Sequence, residues 1–152
     1  MDNQDLILAL NKLIETCKDG EESYKTCAQD ALERNSPSHS VFEAIQLSCS
    51  TACSELDELV VKLGGVPEKS SSTGDMLHRT WVNLKHAISG KNEDAVLQEC
   101  ERGEESAKNR YNDALEHDLP SYVRLIVERQ SLGIATNLEK IRTLRSNINV
   151  EA

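Results

Sequence analysis

The chain repeats itself. Residues 17–38 read CKDGEESYKTCAQDALERNSPS, and residues 100–121 read CERGEESAKNRYNDALEHDLPS. Aligned without a gap at an offset of 83, the two share 12 of 22 residues, where average composition would give roughly one or two. The shared block places an apolar residue every three or four positions and then breaks at Pro37 or Pro120. That spacing is one face of a helix, followed by a turn into the next. A chain that holds such a block twice reads as two helical hairpins, which excludes most folds open to 152 residues.

The rest of the sequence extends each block into a hairpin. The first helix is expected over residues 5–33, with a stripe of Leu6, Leu10, Leu13, Cys17, Gly20, Tyr24, Cys27 and Ala31 at alternating spacings of four and three. Ser36 offers a cap to the second helix and Pro37 its first position. That helix carries Phe42, Ile45, Cys49, Ala52, Leu56, Leu59 and Leu63 and stops at Gly64-Gly65. A polar link at 68–74 and a short helix at 75–88 follow. The third long helix, 92–116, shows Leu97, Cys100, Glu104, Ala107, Tyr111 and Ala114. The fourth, after Pro120, shows Val123, Val127, Gln130, Ile134, Asn137, Ile141, Leu144 and Ile148.

Short turns make each hairpin antiparallel. The expected architecture is therefore all-α: one domain over residues 1–152, with hairpins at 5–63 and 92–148 and a crossover at 64–91 that carries a short extra helix. One long crossover in a four-helix bundle is the ferritin-like arrangement. An α-solenoid needs about three repeats, and two are visible.

Composition narrows the partners. Aromatic residues make up 3% of the chain, so Leu, Ile, Val, Ala and Cys must fill the core. A net charge of −9 disfavours nucleic acid and anionic membrane surfaces. The acidic start, Met1-Asp2-Asn3-Gln4-Asp5, resembles no signal peptide, and a cytoplasmic location is expected. A homo-oligomer or a protein partner stays open. The five cysteines, Cys17, Cys27, Cys49, Cys53 and Cys100, form no CxxC pair and read as free thiols.

Two constellations carry candidate chemistry. The repeat aligns Glu21 with Glu104 and Glu22 with Glu105, and Glu55 flanks the stripe of the second helix. Carboxylates facing a bundle interior are the basis of di-metal sites that hold iron or another divalent metal. Such sites also need Glu-x-x-His on the other two helices, and this chain has none there. The alternative is that Glu21 and Glu104 bond to Gln130, Asn137 or facing Lys and Arg and set helix register. The second constellation is Cys17, Cys49, Cys53 and Cys100, which could bind a soft metal as thiolates or simply pack between helices. His78-Arg79-Thr80-Trp81 offers a binding patch or an anchor for the crossover. The mid-helix Gly20 and Gly103 suggest a close approach of the two Glu blocks.

The blocks LNKLIETCKDGEESY, LGGVPEK, LHRTWVNLKHAISGKNEDAVLQECERGEESAKNRYNDAL and DLPSYVRLIVERQ resemble a bacterial family of ferritin-like four-helix-bundle proteins of unknown function. The resemblance spans nearly the whole chain and is most specific at LHRTW and ERGEES. It implies a bundle with a crossover and no established reaction; metal binding is suspected there only by analogy. The family pattern includes a His-Asp pair on the last helix, and Leu138 stands at the His position here. The expected function is a non-enzymatic binding or stress-related protein, with ferritin-like metal binding and thiolate soft-metal binding as alternatives.

Overall fold

The structure is a computed structural model that describes residues 1–70 and 76–151, and their side chains except those of 76–81 and 149–151. All regular structure among the described residues is helical: α1 (Asn3–Glu33), α2 (His39–Lys62), α3 (Met76–Ser89), α4 (Glu93–Leu115) and α5 (Ser121–Glu151). No described helix is long and apolar enough to cross a membrane.

Local chemistry sets the ends. The Asp2 carboxylate caps α1 at the Asp5 amide, and the Asn92 side chain caps α4 at the Ala95 amide. α1 and α2 stop through the same hydrogen-bonded turn. After α1, Asn35 takes φ +55° and the Ser36 amide donates to Ala31; after α2, Gly64 takes φ +85° and the Gly65 amide donates to Val60. The start of α2 departs from expectation. Ser38 holds the cap position and makes no side-chain cap bond. The hydroxyls of Ser36 and Ser38 donate instead to Glu93 Oε1, each at 2.7 Å, which ties the first turn to the start of α4.

The four long helices form a ring in the order α1, α2, α5, α4, and α3 lies on α4 and α1. Contacts between α1 and α4 run in opposite directions along the two helices: Cys17 meets Tyr111, Tyr24 meets Glu104 and Cys27 meets Cys100. The chain after α2 returns along α1, where Asn3 and Asn11 donate to the carbonyls of Leu63 and Val66. The side chains of His78, Arg79, Thr80 and Trp81 lie outside the described residues.

Two apolar cores stack along the ring. One joins Leu6, Leu10 and Leu13 to Leu56, Leu59, Val60, Val123 and Val127. The other joins Tyr24, Cys27, Ala28 and Ala31 to Phe42, Ile45, Val96, Leu97 and Ile141. Leu, Ile and Val crowd these two levels, and smaller side chains occupy the level between them.

Candidate functional site

That middle level is where the bundle hollows out. Gly20 on α1, Ala52 on α2, Ala107 on α4 and Gly133 on α5 all line one cavity of about 420 Å³. None reaches the axis, so facing side chains cannot close the gap. A Cβ on Gly133 would meet nothing within 4 Å. The half-buried or exposed Leu47, Ser48, Thr51, Arg129 and Gly133 put the mouth between α2 and α5.

Polar side chains converge there in two bonded groups. In the first, the Tyr24 hydroxyl donates to Glu104 Oε1 at 2.7 Å. In the second, the Cys17 thiol meets the Tyr111 hydroxyl at 3.3 Å, and that hydroxyl donates to Gln130 Oε1 at 2.8 Å. Gln130 Nε2 continues to the Ala52 carbonyl and to Glu55 Oε1, and Glu55 is held by Arg129 at the rim. Asn137 lines the same cavity at 6% exposure and makes no hydrogen bond among the described residues.

Burial governs the proton affinities. Glu104 is pushed up to about 7 by burial, against the lowering effect of the Tyr24 bond. Burial likewise pushes Cys17 up to about 12 and holds Cys49, Tyr24 and Tyr111 well above their ordinary values. Cys100 is raised by its contact with the Cys27 thiol and by burial. Neutral thiols are weak nucleophiles and poor metal ligands.

The candidate residues separate. Glu104 and Glu55 line the cavity. Glu21 and Glu22 lie on the outer side of α1 beside Lys18, Lys25 and Lys69, and Glu105 is exposed and pairs with Arg142. Cys17, Cys49 and Cys100 line the cavity, whereas Cys53 packs in the neighbouring core. Among the described residues, no group of three or more His, Cys, Asp and Glu side chains is placed to hold a metal ion. The donor set of a di-metal carboxylate centre is thus not assembled by these side chains. Leu138 is buried.

Two expectations need correction. Gly20 does not receive the Glu block of α4: a Cβ there would lie 2.8 Å from Cys49 Sγ, so the close approach is to α2. Glu104 bonds to neither Gln130 nor Asn137 but to Tyr24. Sequence reasoning also missed the contact of the Cys27 and Cys100 thiols at 3.8 Å. The functional part of Tyr24 and Tyr111 was missed as well. The available signal was that both tyrosines sit on apolar stripes, where a buried hydroxyl needs a partner.

Fold and site together define a helical bundle with an internal, mostly apolar cavity. The chain belongs to the family described as a domain of unknown function, DUF2383, whose model matches residues 5–117. The match ends before α5, which supplies Gln130, Gly133, Ile134 and Asn137 to the cavity. No curated protein matches the chain.

Proposed function

We propose that this protein is a non-enzymatic binding protein, a bundle of the ferritin-like arrangement that encloses one small, largely apolar molecule between its long helices. The observation that carries this reading is the 420 Å³ cavity with the unbonded Asn137 amide on its wall. Ligand sites are concave and largely apolar, with a few polar groups that fix orientation. The Asn137 amide faces the cavity without a partner and can hydrogen-bond a molecule held there. An iron or other divalent-metal role would draw on Glu104 and Glu55. It has weaker support, because these acids already serve Tyr24 and the Gln130–Arg129 pair, and no described imidazole lines the cavity.

The test is titration with the neutral, environment-sensitive dye N-phenyl-1-naphthylamine. Saturable one-to-one binding is expected, and Gly133→Trp, which fills the cavity from α5, should abolish it while the circular dichroism spectrum stays helical. Binding that never saturates, or that ignores Gly133→Trp, would refute the reading.

A further inference from the structure

The charges around the cavity are lopsided. Among the described residues, Glu55 on α2 and Glu99 and Glu104 on α4 line it beside the base Arg129 on α5, and Asp19 on α1 lines it too but is engaged by a partner of its own. That base is held by Glu55 at the rim, where its side chain is 60% exposed. Deeper in, Glu104 has a tyrosine hydroxyl and no ion pair with any cation among the described residues. Glu99 Oε1 binds Arg102, and Glu99 Oε2 is buried with no partner. The Asn137 amide adds a further unbonded group to the same wall. A cavity that offers an unpartnered acceptor and a buried carboxyl without a cation beside it selects a donor-rich cation. Tyr24 and Tyr111 line it too, and aromatic side chains attract ammonium groups within about 6 Å of the ring. The remaining wall, including Ala52, Ala107 and Ile134, is apolar.

We infer that the ligand class is a lipophilic amine, with its ammonium group at Glu104 and its apolar body along Ala52, Ala107 and Ile134. This rests on the binding role proposed above and specifies its chemistry. Binding is coupled to a proton. Glu104 titrates near 7 when the cavity holds no cation, so below that pH an arriving ammonium drives the proton off. The other groups near Glu104 stay protonated there: Tyr24 and Cys17 on α1, Cys49 on α2 and Tyr111 on α4 are raised by burial, and Cys100 on α4 by its contact with Cys27 and by burial. Among the described residues, Asp19, Glu55, Glu99 and Arg129 are the other charged groups that line the cavity.

The experiment is calorimetric titration of the full chain at pH 6 with 4-phenylbutylamine and with its neutral counterpart 4-phenyl-1-butanol. The amine should bind at least tenfold more tightly. Its heat should differ between phosphate and MES buffers in the sense of proton release, and the alcohol's heat should not. Glu104→Gln should bring the amine down to the level of the alcohol and remove the buffer dependence. Should Glu104→Gln fail to fold, the buffer dependence of the native protein decides alone. Equal affinity for amine and alcohol, or tighter alcohol binding, would overturn the amine class and leave the cavity's binding role standing. Binding of neither compound, together with no saturable dye binding, would overturn both.

Discussion

The block Gly-Glu-Glu-Ser stands at 20–23 in α1 and at 103–106 in α4, and its first glutamate has opposite fates. Glu104 is 5% exposed and bonded to a tyrosine. Glu21 sits among lysines on the outer side of α1. The difference is a rotation. In α1 the inward position at this level is Gly20, pressed on Cys49, and Glu21 lies one residue, about 100°, further round. In α4 the inward position is Glu104 itself. Aromatic placement completes the asymmetry. Tyr24 aligns with Ala107 and Tyr111 with Ala28, so the counterpart of the Tyr24–Glu104 bond would be Ala107 with Glu21, which has no hydroxyl to donate. Identical local sequence therefore does not decide burial; the neighbouring helices do.

The largest effect should come from the tyrosine that α4 has and α1 lacks at that position. Tyr111 is 1% exposed and links Cys17 to Gln130, so Tyr111→Ala removes both volume and a bonded hydroxyl. The expected loss is about 3–5 kcal/mol, seen as a melting temperature lower by roughly 10 °C. A loss below about 1 kcal/mol would mean that the cavity level is not packed around this ring.

Next comes the pair of glutamates itself. A carboxyl whose folded value rises from 4.5 to about 7 favours the folded state most when protonated. That contribution is fully present below 4.5 and is lost as pH rises toward and through 7. The span corresponds to at most about 3 kcal/mol. Denaturant unfolding from pH 4.5 to 8 should show this slope in the native protein and in Glu21→Gln, and Glu104→Gln should flatten it. An equal response of the two variants would remove the distinction between the copies.

Much of this fold was legible in the sequence, because heptad stripes and turn residues act locally. The stripes of Leu6–Ala31 and Phe42–Leu63 lie on buried faces, and Asn92 and Gly64 do what their chemistry predicts. The burial of Glu104, Gln130 and Asn137 was legible for the same reason, since each interrupts an apolar stripe. Their partners were not. Whether Glu104 meets Gln130 or Tyr24 depends on rotation and stagger between helices far apart in the chain, and periodicity carries neither. The cavity was hidden for a related reason: Gly20, Ala52, Ala107 and Gly133 are individually ordinary, and only their common level makes a void. Gly20 and Gly103 drew attention as a pair, whereas the packing joins Gly20 to Cys49.

A smaller effect tests two glycines with opposite signs. At Gly133 a methyl group would meet open space, so Gly133→Ala should stabilise by up to about 1 kcal/mol through helix propensity. At Gly20 the methyl would meet Cys49 Sγ at 2.8 Å, so Gly20→Ala should destabilise. Adding Cys49→Ala should then recover more than the two single changes predict together. Additive behaviour would show that α1 and α2 do not approach closely at Gly20.

The smallest effect concerns the outer glutamates, where the two copies should behave alike despite a visible contact. Glu105 pairs with Arg142 at 3.1 Å, but both side chains are nearly half exposed. Glu22 is exposed beside Lys18, Lys25 and Lys69. An exposed pair gains little, because water screens the attraction and two long side chains lose freedom in forming it; double-mutant cycles place such pairs at about 0.2–1 kcal/mol. Glu22→Gln and Glu105→Gln should therefore differ by no more than about 0.5 kcal/mol, and that gap should close near 1 M salt, where the screening length is about 3 Å. A gap that survives high salt would place the asymmetry of the duplication on the outer faces as well, and the rotation of α4 relative to α1 would no longer suffice to explain it.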